Sequence, residues 1–291
     1  MPRRLFIVHN PVAGVKGTRR LHQVIDRLGQ LGCEHELHSA ESFADNQRMA
    51  RAAAVSGDFD AVVAAGGDGT IRATASVLMT SATPLGIIPI GTGNVMAHEI
   101  GLRRQPDAIA NCLAQGEVAT VQAGYANGQP FFLMVGAGFD GRVARLLDLP
   151  YKRRVGRMAY AWPIIRALIS GPDKLRVCVD GVEYEAAWAI ATLRRRYAGA
   201  FVLAPQVELG GTGIHAVLFK PAGRLAMLSQ LLEVAAGRIE RRPDVQHLSG
   251  TRIEISSDLP VPVQIDGEPS GVTPVDIETR GAALKLIVPP A

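Results

Sequence analysis

Gly66-Gly67-Asp68-Gly69-Thr70 places three glycines around one carboxylate, directly after the apolar run Ala61-Val62-Val63-Ala64-Ala65. Glycine removes the side chain, so backbone N–H groups can come close to phosphate oxygens. A helix starting at this point adds partial positive charge, which favours an anion. Asp68 does not suit direct phosphate contact, because like charges repel. It suits a magnesium partner or a group that orients the reacting oxygens. The plainer reading is a tight turn with a capping Asp, but the full five-residue string is more specific than a bare glycine turn. A second turn of similar type, Gly91-Thr92-Gly93-Asn94, follows the apolar residues 85–90. Together the two turns predict a phosphate cradle.

Other chemistry-bearing residues are less telling alone. Asp266-Gly267-Glu268 reads by itself as an Asp-Gly hairpin with an exposed Glu. His9, His22, His35, His38, His98, His215 and His247 form no HxxxH or HExxH pattern, so each reads as a surface or core residue rather than a ligand. Neither a Gly-x-Ser-x-Gly elbow nor a Walker Gly-Lys-Ser/Thr is present, which leaves hydrolase and P-loop readings unsupported. Lys152-Arg153-Arg154 and Arg157 precede the apolar, aromatic residues 158–169, and Arg194-Arg195-Arg196 forms a second basic cluster. Such clusters suit anionic lipid, nucleotide phosphate or nucleic acid, or are simply solvated charge.

The elements that must position these residues change character along the chain. Residues 5–8 predict a buried strand ending at His9-Asn10-Pro11. Leu21, Val24, Ile25, Leu28 and Leu31 recur at helical spacing, with Gly32 as a stop. A weaker strand over 33–38 and a helix over 45–55 follow, the latter with Met49, Ala50, Ala53 and Ala54 inward. The central strand, a helix over 70–78, a strand over 85–90, a helix capped by Asn94 and a helix over 107–114 complete this half. Alternating strands and helices predict a mostly parallel sheet covered on both faces. Ligands of such sheets lie beyond the carboxyl ends of the strands. Asn10, Gly66–Thr70 and Gly91–Asn94 all follow strands, so they are expected to converge on one edge.

After about residue 120 the pattern becomes antiparallel. Residues 118–125 and 130–135 flank Asn127-Gly128, a hairpin signal, and Leu175, Val177 and Val179 alternate up to a second one, Asp180-Gly181. Strand-like runs cover 187–193, 214–219, 252–255 and 262–265. Helical stretches cover 142–169, broken near Pro150, and 223–236. The fold expected is an α/β N-terminal domain with a mostly parallel sheet, residues 1–122, plus a mainly antiparallel β-sandwich C-terminal domain with inserted helices, residues 123–279. No repeat or low-complexity linker is visible, and the periodicity leaves the domain of the last strand open.

Composition bounds the class. The 291 residues are 47% hydrophobic and 20% charged, a globular balance that suffices for two cores. Cys33, Cys112 and Cys178 are scattered and odd in number, which argues against a disulfide framework or a zinc site. Residues 1–10 hold too short an apolar run for a signal peptide, and no segment approaches the roughly 20 apolar residues of a membrane span. A cytoplasmic protein, peripheral at the membrane, is expected. The net charge of +4 names no partner by itself.

Asn10-Pro11, Gly66-Gly67-Asp68-Gly69-Thr70 and Gly91-Thr92-Gly93-Asn94 together resemble the catalytic domain of the diacylglycerol kinase and sphingosine kinase family. Val135-Gly136-Ala137-Gly138-Phe139-Asp140, Leu203-Ala204-Pro205 and Gln264-Ile265-Asp266-Gly267-Glu268 extend the resemblance in the family's order over nearly the whole chain. It implies a two-domain, ATP-dependent lipid kinase using Mg2+, with the last strand (residues 280–291) completing the first domain. Asn10, Pro11, Gly66, Gly67, Asp68, Gly69, Thr70, Gly91, Thr92, Gly93 and Asn94 would bind ATP. Glu268 would take the proton of the lipid hydroxyl, with Asp68 and Asp266 as its catalytic companions. The metal ligands stay unassigned. Implied partners are a lipid substrate of diacylglycerol-like or sphingoid-like type and an anionic membrane surface, with no nucleic acid; a homodimer is compatible. Residues 151–169 would make the membrane contact, with Tyr160, Trp162, Ile164, Ile165 and Leu168 on the apolar face.

Two departures from the family pattern stand out. Val95 occupies a position often held by Asp. Pro205 is followed by Gln206-Val207-Glu208-Leu209-Gly210-Gly211-Thr212, without the Asp-Gly that supplies a magnesium ligand in many members. Ser39 and Ser42 lie where the family often has an adenosine-contacting Thr. The Gly-Gly-Asp-Gly-Thr string is shared with NAD kinases, so an NAD kinase-like enzyme is the first rival. A catalytically weak lipid- or nucleotide-binding regulator is the second.

Overall fold

The computed structural model describes residues 2–11, 14–79, 81–220, 223–281 and 283–290. The chain divides into two compact units, Met1–Gln122 with Ala282–Ala291, and Ala123–Gly281.

The first unit alternates β1 (Arg4–His9), α1 (Gly14–Gln30), β2 (Glu34–Ser39), α2 (Phe43–Ser56), β3 (Ala61–Gly66), α3 (Asp68–Leu78), β4 (Leu85–Pro89), α4 (Val95–Glu99), α5 (Pro106–Gln115) and β5 (Glu117–Gln122). Strands β2, β1, β3 and β4 run parallel, in that order. The chain's last strand, Ala283–Val288, inserts beside them, parallel to β4 and antiparallel to β5. All residues of β3 and β4 are buried, as a strand covered on both faces requires. Helix α1 docks through Leu21, Val24 and Leu28, one helical stripe, and Gly32 ends the turn beyond it at φ 78°. Ser42 caps α2, its Oγ accepting from the Asp45 N–H at 3.1 Å, and Ala50 and Ala53 face inward while Met49 and Ala54 are half-buried.

The second unit contains β6 (Gly124–Ala126), β7 (Gln129–Phe131), β8 (Met134–Ala137), α6 (Phe139–Leu146), α7 (Leu149–Val155), a 3-10 turn over Gly156–Tyr160, α8 (Ala161–Ser170), β9 (Leu175–Val179), β10 (Val182–Ala186), β11 (Trp188–Thr192), β12 (Arg196–Tyr197), β13 (Phe201–Val202), β14 (Ile214–Phe219), α9 (Arg224–Ala235), β15 (Val245–Gly250), β16 (Arg252–Ser256), β17 (Pro262–Ile265), β18 (Glu268–Val272) and β19 (Val275–Glu278). Two six-stranded sheets, β10-β9-β16-β19-β6-β7 and β15-β14-β11-β8-β17-β18, form the sandwich. Its core takes alternate residues from each sheet, including Val177, Val179, Ile253 and Ile255 from one and Val135, Ala137, Ala189 and Ala191 from the other. The opposite face of the second sheet is buried too. Trp188 stacks on Phe219 at 3.8 Å, and Phe139 of α6 packs on Trp188 at 5.0 Å.

One expected hairpin is divided differently. Residues 118–135 read as two long strands about Asn127-Gly128, but β5 belongs to the first unit's sheet, and only β6 and β7 pair across the turn. Met134–Ala137 then joins the other sheet of the sandwich. Asn127 and Gly128, both at positive φ, do make the expected tight turn.

Candidate active site

Three strand ends meet in the first unit. The Asn10 N–H donates to the Ala65 carbonyl at 3.1 Å, tying the end of β1 to β3. The Ile90 and Gly91 N–H groups both donate to the Gly66 carbonyl, at 3.1 and 3.2 Å, tying β4 to the same point. Helix α3 starts here, after Gly67 in an extended conformation. The glycines are required by contact rather than by turn shape. A Cβ on Gly66 would lie 2.2 Å from Thr70 Oγ1, and one on Gly91 would lie 2.4 Å from the Gly67 Cα. A Cβ on Gly93 would lie 2.8 Å from Asp68 Oδ2, so the carboxylate rests against the second turn. Gly67, Asp68, Gly69, Thr92 and Gly93 stay half-buried, Pro11 is exposed, and Thr70 is buried beneath the first turn.

Asn94 corrects one expectation. It sits at the start of α4 with φ 53°, but its side chain makes no cap bond to the helix. It turns back instead: Oδ1 accepts from the Gly91 N–H at 3.1 Å and Nδ2 donates to the Gly91 carbonyl at 2.6 Å. Buried almost completely, it fixes the shape of the glycine turn. Sequence reasoning missed two cations at this turn. Arg20 donates to the Pro89 carbonyl at 3.4 Å and Arg104 to the Gly91 carbonyl at 3.1 Å. Neither belongs to a motif, so only the fold brings them here. Ser42, set near adenosine by the family resemblance, is occupied as the α2 cap.

The acidic turn lies in the second unit. Asp266 (φ 52°) and Gly267 (φ 86°) form the two-residue turn between β17 and β18, with Ile265 paired to Glu268. Glu268 is exposed at the start of β18. Asp266 is buried, and its carboxylate accepts from the N–H groups of Phe132 (3.0 Å), Leu133 (2.8 Å) and Met134 (3.0 Å). The glycine-rich run at 136–141 serves packing. A Cβ on Gly141 would lie 2.0 Å from the Pro262 carbonyl oxygen, so only glycine lets α6 press on β17. Gly138, at φ 89°, turns the chain from β8 into α6.

The sequence treated the histidines singly, but pairing of β14 with β15 brings two together. His215 Nε2 lies 3.1 Å from His247 Nδ1, with Gln206 Nε2 at 2.5 Å and Ser249 Oγ at 3.2 Å from His215. Burial, with a smaller contribution from the neighbouring His247, drives the His215 pKa down to about 4. Among the described residues no group of three or more His, Cys, Asp or Glu side chains is placed to hold a metal.

Comparison with known proteins decides the family. Residues 4–126 match the model of the diacylglycerol kinase catalytic domain, and residues 133–288 that of the YegS C-terminal NAD kinase beta sandwich-like domain. The chain belongs to the diacylglycerol kinase family. It is 26% identical to a diacylglycerol kinase of Bacillus subtilis (strain 168), over 99% of this chain and 97% of that protein. It is 29% identical to a diacylglycerol kinase of Mycobacterium tuberculosis (strain H37Rv), covering 96% and 93%. A crystal structure from Bacillus anthracis, provisionally assigned as a diacylglycerol kinase, shares the fold, with a TM-score of 0.82 over 99% of this chain and 96% of that one at 22% identity. The chain is therefore an enzyme, a lipid kinase.

The helices around α8 carry an exposed apolar surface. Ala159, Pro163 and Ala167 face inward, while Met158 (72% exposed), Trp162 (62%) and Ile169 (58%) face solvent. This revises the expected apolar face: Tyr160, Ile164 and Leu168 are half-buried, and Trp162 and Ile165 alone of that set point outward. Helix α9, packed against α8, exposes Leu225, Leu228 and Leu232, again one helical stripe. Arg154, Arg157 and Arg166 of the same segment are exposed, and Arg166 lies over the Trp162 ring at 5.6 Å. No helix among the described residues is long and apolar enough to cross a membrane.

Proposed function

We propose that this lipid kinase transfers the γ-phosphoryl group of ATP to the hydroxyl of a diacylglycerol-like or sphingoid-like lipid. The observation that carries the reading is the junction at the Gly66 carbonyl, where β3 and β4 end together at the N-terminus of α3. Backbone N–H groups left bare by Gly67, Gly69 and Gly93 would face the phosphates, helped by the helix dipole. Buried Gly66, and Gly91 with its N–H bonded to the Gly66 carbonyl and Asn94 Oδ1, would shape the two turns. Asn10, Pro11, Thr70 and Thr92 would complete the nucleotide contacts, and Asn94 would act by shaping its turn.

A phosphate-bound Mg2+ needs only one or two protein carboxylates, and Asp68 beside Gly93 fits that need. When bound, the ion offsets charge on the phosphates. Glu268 would accept the hydroxyl proton as the lipid oxygen bonds to the γ-phosphorus and the bond to the leaving ADP oxygen breaks. Asp266, with its carboxylate committed to three backbone donors, would hold the turn rather than share in the chemistry. The outward residues of α8 and α9 and their arginines would rest on an anionic membrane that delivers the lipid.

Labelled ATP and Mg2+ with 1,2-dioleoylglycerol, sphingosine or NAD as acceptor test the reading. Label in a lipid is expected. Label in NAD alone would replace the lipid acceptor, and nucleotide binding with no labelled product would make the chain a regulator. Glu268→Gln should lower kcat by about 10²- to 10⁴-fold while ATP still binds; retained turnover removes Glu268 as the base.

A further inference from the structure

The turn that presents Glu268 rests on a buried row of polar side chains that the reaction does not consume. The Gly267 N–H donates to Gln264 Oε1 at 2.6 Å. The other end of that amide, Gln264 Nε2, donates to Asp140 Oδ2 at 3.4 Å, and the Tyr197 hydroxyl donates to Asp140 Oδ1 at 2.5 Å. We propose that Gln264, clamped by Asp140 and Tyr197, is a positioning residue that sets the Glu268 turn for proton transfer. The proposal rests on Glu268 being the proton acceptor.

Chemistry fixes the direction of the row. Gly267 offers only a donor, so the Gln264 oxygen must face it, and the amide NH2 must then find an acceptor. Asp140 supplies that acceptor, and Tyr197 occupies its other oxygen. The link from Gln264 to Asp140 is the longest of the three, so it is the one most sensitive to movement. Gln264 is 3% exposed and Asp140 6%. A leucine in β17 would fill the space without burying polar atoms, so packing alone gives no reason for the amide.

Gly136 gives a second, independent sign. It makes no polar side-chain contact, yet a Cβ there would lie 2.6 Å from Asp140 Oδ2 and 2.7 Å from Gln264 Nε2. Strand β8 therefore leaves room for this pair and for nothing larger than hydrogen. On its other side the same turn is held by Asp266 through the N–H groups of residues 132–134. The backbone before Glu268 is thus fixed from two directions, while Glu268 itself stays exposed.

The test compares Gln264→Met, which keeps length and loses both bonds, with Tyr197→Phe, which removes one distant hydroxyl. Hydrogen exchange is followed in peptides covering residues 264–272. Steady-state kinetics use labelled ATP and micelles of dioleoylglycerol or sphingosine, whichever the wild type phosphorylates. Gln264→Met should speed exchange at the turn and lower kcat by about 10- to 100-fold, with KM for ATP within about twofold. Tyr197→Phe should move both readouts the same way by less, and it carries the test if Gln264→Met does not fold. A lower melting temperature with kcat unchanged, or unchanged exchange at the turn, overturns the proposal. Retained turnover in Glu268→Gln, or no labelled lipid from the wild type, sinks the base assignment and this proposal together. Loss in Glu268→Gln with none in Gln264→Met or Tyr197→Phe sinks this proposal alone.

Discussion

Gly67 and Gly91 meet backbone to backbone: a Cβ built on Gly91 would stand 2.4 Å from the Gly67 Cα. No side chain stands between the two turns that could rotate aside, so any larger residue must push the turns themselves apart. Gly91→Ala should therefore weaken ATP binding at least about tenfold and destabilise the first unit by about 1–3 kcal/mol, the usual range for overpacking. Gly93→Ala meets only the carboxylate of Asp68, at 2.8 Å, which can swing on its own rotamer. It should leave stability nearly unchanged and act on the Mg2+ dependence of turnover. Calorimetric titration with ATP, with and without Mg2+, separates the two; equal effects from both variants would remove the special standing of the Gly67–Gly91 contact.

Asp266→Asn tests the holding role of that carboxylate. Three N–H donors converge on it, and an amide offers them one oxygen while turning its own NH2 toward the rest. At least one buried N–H is then unsatisfied, a cost of about 1–3 kcal/mol. Urea denaturation should show this loss, with faster amide exchange at Phe132–Met134. An unchanged midpoint would mean that the loop before β8 is held by other contacts.

The glycine strings were legible because each residue in them answers a local demand. Gly66, Gly91 and Asn127-Gly128 announce a close approach or a positive φ wherever they fold. The alternation Leu175, Val177, Val179 announced a half-buried strand, and β9 buries those three. What stayed hidden depends on register between distant segments. His215 meets His247 because β14 pairs with β15, and no spacing rule connects residues 32 positions apart. The Asp140–Gln264 link spans 124 positions for the same reason. Val118–Gln122 misled because an apolar strand carries no label for its sheet, and β5 pairs with the end of the chain instead of with its neighbour. In residues 158–169 the expected outward face holds for Trp162 and Ile165 but not for half-buried Tyr160, Ile164 and Leu168; Met158 and Ile169 lie outside instead, with small Ala159, Pro163 and Ala167 inward.

That outward stripe makes a prediction about membranes. Trp162, Ile165 and Ile169 on α8, with Leu225, Leu228 and Leu232 on α9, should enter the interface of anionic vesicles while nearby arginines meet headgroups. Trp162→Ser with Ile165→Ser should reduce co-sedimentation with phosphatidylglycerol vesicles about tenfold or more, since each large side chain contributes about 1.5–3 kcal/mol of burial. Raising salt to about 0.5 M should weaken the wild type through the arginine term and leave a residual apolar part. Binding unchanged by the double substitution would move membrane contact off this surface.

Acid stability should expose two opposed titrations within the second unit. Burial pushes the Asp140 carboxyl up to about 6, against the Tyr197 and Gln264 donors, so the folded state holds that proton more tightly than the unfolded chain. Stability from this group falls as pH rises from about 4 to 6, by a total of order 3 kcal/mol. His215 runs the other way. Its pKa of about 4, set first by burial, means the unfolded chain takes up a proton that the folded state refuses. Stability from His215 is complete above about 6.5 and is lost as pH falls toward 4, again by order 3 kcal/mol. The two slopes offset one another across the same window, so the wild type should change little there on their account. Asp140→Asn removes the first slope and should make the protein lose stability steeply between pH 6.5 and 4. His215→Gln removes the second and should make it gain stability over that interval. Urea unfolding at pH 4, 5, 6 and 7 reads both, and curves that stay parallel to the wild type in both variants would show that neither group titrates as its burial dictates.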